Sequence, residues 1–328
     1  MIMKAVTRSQ YGSAQVLSIT QTEIPKIEED EILIKVCCTT VNRTDCANLT
    51  GTPYVVRLFT GITAPMMEVP GTDFAGEVMQ VGREVTDFSP GDRVFGFDDN
   101  GLSSMAEYMP IDGRKAIRHI PPGITYEDAV ASAEGPHYAI NFLNKVKLRK
   151  GEKAMVNGGT GAIGSALIQI LKFHGLYVVA TGPTEHLDRL RGLGADRVID
   201  YKTHDFTQDE EKFDYVFDSV GKSTFGNCKN LLLKDGIYIS SELGPYAQNP
   251  FLAISTTFSG GKQVKFPLPL HIPESLKIIS NLLGSGHYKP LIDRSYRMEE
   301  VREAFEYVMS GQKLGNVILN ISGKTNDS

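Results

Sequence analysis

Cysteine is scarce in this chain: four residues in 328, Cys37, Cys38, Cys46 and Cys228, with no CxxC spacing among them. That excludes a disulfide framework and makes a reducing compartment the expectation. Long basic runs are missing as well. With a net charge of -5, the chain lacks the electrostatic footprint of a protein that works on nucleic acid or an anionic membrane. No apolar run approaches the length of a membrane span. Met1 is followed by alternating, strand-like sequence rather than by a positive lead and an apolar core. The expectation is a soluble, cytoplasmic protein with neither a nucleic acid nor a membrane as partner. There is no internal repeat and no low-complexity tract. The last six residues, Gly323 to Ser328, are polar and are expected to fray.

What the chain does have is an ordinary globular composition, 41% hydrophobic and 22% charged, enough to bury a sizeable core. Its length fits about two domains. The most informative stretch runs from Val156 to Ser165, where Gly159, Gly161 and Gly164 stand at GxGxxG spacing. In such a motif the first glycine allows a tight turn, the second lets backbone approach a pyrophosphate, and the third lets the helix pack on the strand. Lys153 to Val156 can form the strand. Ala162, Ile163, Ala166, Leu167, Ile170 and Leu171 recur at helical spacing up to Gly175. A helix starting there points free N–H groups and a positive dipole end at phosphate, so Gly159, Thr160, Gly161, Ala162, Ile163 and Gly164 are the candidate pyrophosphate contacts.

Context supports this reading over a ligand-free glycine loop. Strand-like runs at Leu176 to Thr181, Arg197 to Tyr201, Phe213 to Ser219 and Gly236 to Ser240 alternate with helical runs at Thr184 to Leu193 and Lys222 to Leu233. Gln263 to Phe266 can serve as a sixth strand. That alternation describes a doubly wound parallel sheet, an α/β fold. Before the motif, short strands at Met3 to Arg8, Leu17 to Ile24, Glu31 to Val41, Phe74 to Val81, Asp92 to Phe97 and Met105 to Met109 form a β-rich domain. Pro121-Pro122-Gly123 then punctuates the chain, and Thr125 to Val146 reads as helical. Towards the end, a helix at Glu274 to Leu283, an amphipathic one carrying Val301, Ala304, Phe305 and Val308, and a strand at Val317 to Ile321 return to the first domain. We place the boundaries at residues 1–124 with 268–328, and 125–267.

This order, with Val41-Asn42-Arg43-Thr44-Asp45, Pro70 to Val78, Val85 to Gly96, Leu193 to Tyr201 and Gly315-Asn316-Val317-Ile318, resembles the medium-chain dehydrogenase/reductase superfamily over nearly the whole chain. The likeness is to its zinc-free branch of quinone oxidoreductases and enone reductases. It implies a GroES-like β-rich catalytic domain beside a Rossmann domain. Zinc-dependent members carry a Cys and a His-Glu pair where this chain has Asn42 and Thr72-Asp73. With those ligand types gone, and only Glu134 and His137 near the third position, no metal is expected. The resemblance also implies a homodimer through the Rossmann sheet edge, here Gln263 to Phe266 beside Phe251, Leu252 and Ile254.

NAD-selective sites hold the ribose with an acid about twenty residues past the first glycine. Here the strand ends Ala180-Thr181-Gly182-Pro183 without one. That leaves room for a 2′-phosphate, with His186 and Arg189 to meet its charge or simply to form a solvated helix face; Glu185 opposes. Tyr201 matches a tyrosine that lies by the adenosine phosphate in related reductases. NADPH is therefore the expected cofactor. Loops after the fourth and fifth strands place Ser219, Ser241 and Leu243 by the ribose and nicotinamide, and Asn316 lies in a family landmark. Without a Lewis acid the easiest substrates are quinones and α,β-unsaturated carbonyls, whose charge delocalises onto a remote oxygen and calls for a hydrogen-bond donor. Asn42, Tyr54 and His137 are the candidates, against plain readings as a turn-stabilising Asn, a packed Tyr and a structurally satisfied His. The alternatives are a zinc-free NAD(P)-dependent alcohol dehydrogenase and a non-catalytic NADPH-binding sensor or structural protein.

Overall fold

The computed structural model describes residues 1–322, so the terminal stretch expected to fray lies outside the described residues. The chain divides into two compact units, Met1–Glu134 with the chain from Ile272 on, and Gly135–His271.

In the first unit, β1 (Ile2–Thr7) and β2 (Ser18–Glu23) form an antiparallel pair. The main sheet is built on β3 (Glu31–Val41), which pairs along one edge, from Ile32 to Cys38, with β4 (Asp73–Val81). Beyond β4 lie β5 (Arg93–Phe97) and, paired with it, β7 (Ile117–His119), while β6 (Tyr108–Asp112) sits off this path against β3. The other edge of β3 is shared: β6 takes its first half, residues 31–35, and a late strand, Asn316–Asn320, takes residues 38–41. Ile32, Ile34, Val36, Phe74, Val78, Val94 and Phe305 are completely buried in one core, to which β3 contributes the alternate residues Ile32, Ile34 and Val36 from one face.

The second unit holds six strands: β8 (Lys153–Asn157), β9 (Tyr177–Gly182), β10 (Arg197–Asp200), β11 (Phe213–Asp218), β12 (Leu232–Ser240) and β13 (Gln263–Lys265). They are all parallel, in the order β10-β9-β8-β11-β12-β13. This is the doubly wound 3-2-1-4-5-6 arrangement, which reverses direction between β8 and β11 and opens a crevice at the carboxyl ends of those strands. The remaining strands, β14 (Ile292–Arg297) and β15 (Asn316–Asn320), belong to the first unit.

Several expectations change. The single helix expected over 125–146 is two, Tyr126–Ala131 and Glu134–Leu143, broken at Ser132 and Ala133. The first of them packs on β3 and β4, so the division falls about ten residues later than the sequence suggests, and at His271 rather than at 267. The helix expected over 222–233 shrinks to Phe225–Cys228 and a 3-10 turn, because Leu232 already starts β12. Helices Arg43–Thr50 and Gln248–Ser259 and strands β7 and β14 carry no signal that the hydrophobic pattern revealed. Among the described residues no helix is long and apolar enough to cross a membrane.

Candidate active site

The turn after β8 shows what each glycine does. Gly158 has φ 86°, and a Cβ on it would come within 2.3 Å of Val220. A Cβ on Gly164 would lie 2.1 Å from the Gly158 carbonyl oxygen, so the helix Ala162–Phe173 can rest on the turn only with glycine there. Gly159 is hemmed in by Leu190, Ile168 and Ala180 at 3.0–3.2 Å. Gly161 is different. Its φ of -76° and ψ of 168° suit any residue, and a Cβ would meet only the Gly158 oxygen at 3.5 Å. Nothing in the protein requires glycine at 161, which leaves a ligand's close approach as the physical reason for it. Gly161 is also the helix N-cap and supplies no side chain to the first turn. The N–H groups of Ala162, Ile163 and Gly164 thus face outward with no intrahelical acceptor, the arrangement that receives phosphate. Thr160 to Ile163 are half-exposed at this end of the sheet. The geometry fits a dinucleotide pyrophosphate.

Behind the turn, four neighbouring strands are tied at their carboxyl ends by one hydrogen-bond chain. Thr181 at the end of β9 accepts from the Gly158 N–H (3.0 Å) and donates to Asn157 Oδ1 (2.8 Å). Asn157, ending β8, donates to Asp218 Oδ1 (3.0 Å), and Tyr238 of β12 donates to Asp218 Oδ2 (3.0 Å). Asp218, ending β11 and almost wholly buried, also accepts from the backbone N–H groups of Gly221 and Ser223 at 3.1 Å. Ser219 donates to the Asn157 carbonyl at 2.8 Å. A buried carboxylate with this many donors holds both the glycine turn and the next loop in place. Ser241 and Leu243 follow β12 in a loop where Leu243 is half-exposed.

At the end of β9, Gly182 and Pro183 are buried, and the neighbouring acid, Asp200, pairs with Gly182 from β10 and accepts from Thr184 Oγ1 (2.5 Å) and the Lys202 N–H (2.9 Å). Glu185, which seemed to oppose a 2′-phosphate, is paired: Lys202 Nζ donates to both of its carboxylate oxygens at 2.8 Å. Lys202 immediately follows Tyr201, which is 51% exposed, while Arg189 is exposed and His186 partly so. Sequence reading missed Lys202, because its partner lies seventeen residues away across two strand ends.

The remaining candidates separate clearly. Asn42 is buried and caps the helix Arg43–Thr50: its Oδ1 accepts from the Asp45 N–H (2.7 Å), its own N–H donates to Asp45 Oδ2 (3.1 Å), and its Nδ2 donates to Thr72 Oγ1 (3.0 Å). The structural role is thus the one its contacts display. His137 is buried in the helix Glu134–Leu143 with Asn141 Nδ2 3.3 Å from its ring. Burial pushes its pKa down to about 4, so the ring is neutral at pH 7 and has no imidazolium proton to give. Tyr54 is 77% exposed rather than packed, with the Arg57 guanidinium 4.9 Å from its ring centroid. Its hydroxyl makes no hydrogen bond among the described residues. Asn316 opens β15 in the first unit and donates from Nδ2 to the Leu291 carbonyl at 3.1 Å.

The positions that carry zinc ligands in zinc-dependent dehydrogenases do not fit the ion. The Asn42 amide serves as a helix cap, and Asp73 accepts from Thr39 Oγ1, Thr40 N and Thr40 Oγ1 at 2.5–2.9 Å. Burial raises the Asp73 pKa to about 6. Among the described residues no three His, Cys, Asp or Glu side chains are grouped to hold a metal, and four ligands with soft or imidazole donors are what zinc asks for.

The alcohol dehydrogenase GroES-like domain family matches residues 28–122, and the zinc-binding dehydrogenase family matches residues 193–319. The 2-methylene-furan-3-one reductase of Solanum lycopersicum is 32% identical, covering 97% of this chain and 79% of its own. The chloroplastic NADPH-dependent alkenal/one oxidoreductase of Arabidopsis thaliana is 29% identical over the same shares. A chloroplastic quinone-oxidoreductase homolog of Spinacia oleracea is 28% identical over 97% of this chain and 98% of its own. Together with the GroES-like and doubly wound units, these likenesses mean that the chain belongs to the medium-chain dehydrogenase/reductase superfamily, in its quinone oxidoreductase and enone reductase branch.

Proposed function

We propose that the protein is a zinc-independent, NADPH-dependent oxidoreductase that reduces quinones or α,β-unsaturated carbonyls. The observation that carries this reading is the unfilled space over Gly161 at an uncapped helix N-terminus, in a chain whose relatives include an NADPH-dependent alkenal/one oxidoreductase and a quinone-oxidoreductase homolog. The backbone from Gly159 to Gly164 would hold the pyrophosphate, and Ser219, Ser241, Leu243 and Asn316 would position the ribose and nicotinamide. Tyr201, His186 and Arg189, joined by Lys202, would meet the 2′-phosphate. When bound, NADPH supplies the hydride. The chain's own residues have to orient an already activated acceptor, keep water away, and offer a hydrogen-bond donor where negative charge gathers. Of the three candidate donors, Asn42 is committed to capping and His137 is neutral and buried, which leaves the Tyr54 hydroxyl.

The direct test follows NADPH oxidation by purified protein with simple quinones and enones, before and after exhaustive chelation. Turnover that survives the chelator is expected. Stoichiometric zinc lost together with activity would refute the zinc-independent assignment, and cofactor binding without any turnover would favour a sensor.

NADPH should bind more tightly than NADH. Arg189→Ala and Lys202→Ala should each weaken NADPH binding severalfold, while NADH changes little. Lys202→Ala should have the larger effect, because it also leaves Glu185 unpaired beside the incoming phosphate. Equal affinity for the two cofactors in the parent protein would contradict this account.

We also propose a homodimer in the cytoplasm. Among the described residues β13 is the sheet edge, paired only with β12, and the helix Gln248–Ser259 beside it exposes Phe251, Ile254 and Phe258 along one face. An open edge next to an apolar stripe is a template for a second copy, and twofold closure is the commonest solution. Light scattering at micromolar concentration should return the dimer mass; a monomer would count against it. The four cysteines are free thiols, as a reducing compartment keeps them, and cell fractionation would check the location.

A further inference from the structure

Packing alone does not fix where the Tyr54 hydroxyl points, because the side chain is mostly exposed. A donor to a developing oxyanion, however, has to be aimed before the charge arrives. The loop carries an anchor that none of the assignments above uses. Tyr54 opens a 3-10 turn that runs on into the short helix Arg57–Thr60, and residues three apart on such a turn are side-chain neighbours. The Arg57 guanidinium lies over two tyrosine rings, 4.9 Å from the Tyr54 centroid and 4.6 Å from that of Tyr11. Arg57 and Tyr11 are both half-buried. Each is also tied to backbone: Arg57 Nε donates to the Gly51 carbonyl at 3.1 Å, and the Tyr11 hydroxyl donates to the Gly61 carbonyl at 2.6 Å. The three side chains form a bridge with Arg57 at its centre.

Glycine makes room for that bridge. Gly51 ends the helix Arg43–Thr50 with φ 61°, and a Cβ on it would lie 2.6 Å from Arg57 Nε and 2.9 Å from Tyr11 Cδ1. A larger residue there would push the guanidinium off the rings. The Gly12 N–H donates to the Leu49 carbonyl at 3.1 Å, which ties the chain beside Tyr11 to the same helix end. The helix is capped at its other end by Asn42. Through Arg57, Tyr54 is thus referred to a helix fixed at both ends rather than to the exposed loop alone. Arginine suits the task, since its flat guanidinium can lie on aromatic faces while Nε–H donates in the plane.

We propose that Arg57 is a positioning residue that aims the Tyr54 hydroxyl, with Tyr11 as its support, and that turnover depends on this bridge only for substrates that draw on Tyr54. The inference rests on the reductase reading with Tyr54 as the donor and adds the residues that hold that donor in place.

The test measures kcat of the full chain with NADPH on a simple enone and a simple quinone side by side, in the parent, Arg57→Leu, Tyr54→Phe and the double variant. Arg57→Leu should lower the enone-to-quinone ratio by about three- to tenfold. In the Tyr54→Phe background the ring remains but has no hydroxyl to aim, so the same substitution should leave the ratio within about twofold. Tyr11→Leu should repeat the pattern. Should Arg57→Leu fail to fold, Arg57→Lys takes its place: it keeps the charge without the flat face and should show the same fall. A loss shared equally by both substrates, or one that persists in the Tyr54→Phe background, belongs to a merely structural loop and would overturn the proposal. Undiminished enone turnover in Tyr54→Phe would overturn it too, and leave the reductase reading standing without this donor. If neither substrate is reduced, that reading fails instead. The bridge is then judged by fluorine NMR of protein labelled with 3-fluorotyrosine, the Tyr54 line being identified by its absence from Tyr54→Phe. Arg57→Leu should carry that line to the position of the free amino acid, and a line that stays where the parent has it would sink the proposal.

Discussion

Gly161→Val should abolish measurable NADPH binding, a loss of at least about a hundredfold or ~2.7 kcal/mol, while the melting temperature stays close to that of the parent. The asymmetry follows from the turn. Backbone dihedrals at 161 suit valine, and a Cβ there meets no protein atom closer than 3.5 Å, so the folded chain tolerates the side chain. The pyrophosphate would not, because its route to the helix N-terminus passes over that carbon. Gly164→Ala is the matching control with the opposite signature. Its Cβ would sit 2.1 Å from the Gly158 oxygen, so stability should fall along with binding. Fluorescence titration and thermal melts on the two variants separate the cases. A folded Gly161→Val protein with parental NADPH affinity would remove the nucleotide assignment.

Tyr54→Phe should lower kcat on an enone by about ten- to a thousandfold with NADPH affinity unchanged, the size expected when one donor to a developing oxyanion is removed. The ring is retained in Phe and the exposed hydroxyl makes no hydrogen bond among the described residues, so folding should not register the change. An enone is the right substrate, because a quinone can take its proton from water. A fall of less than about threefold would return Tyr54 to the role of a surface residue stacked near Arg57.

How much of this was legible beforehand varied with sequence distance. The glycine turn is local: strand, motif and helix lie within twenty-odd residues, so spacing alone located it and the β-α alternation around it. Asn42 and His137 looked chemical because their residue types can do chemistry, yet their roles depend on neighbours that spacing does not reveal, a capping box in one case and a dry helix face in the other. Lys202 was overlooked for the same reason, since its meaning lies in Glu185. The helix Gln248–Ser259 hid behind Pro250 and its β-branched Ile254, Thr256 and Thr257, residues with weak helical preference that tertiary packing against β13 overrides.

The chain of hydrogen bonds from Thr181 through Asn157 and Asp218 to Tyr238 links neighbouring strands that are far apart in sequence. Each member is both neighbour and counterpart to the next, so any single replacement strands a buried group that the others were shaped to meet. Drift at these four positions is therefore confined to concerted changes. Double-mutant cycles between adjacent members should depart from additivity by about 0.5–3 kcal/mol, and descendants of this chain that alter one of the four should be found to have altered its neighbour as well.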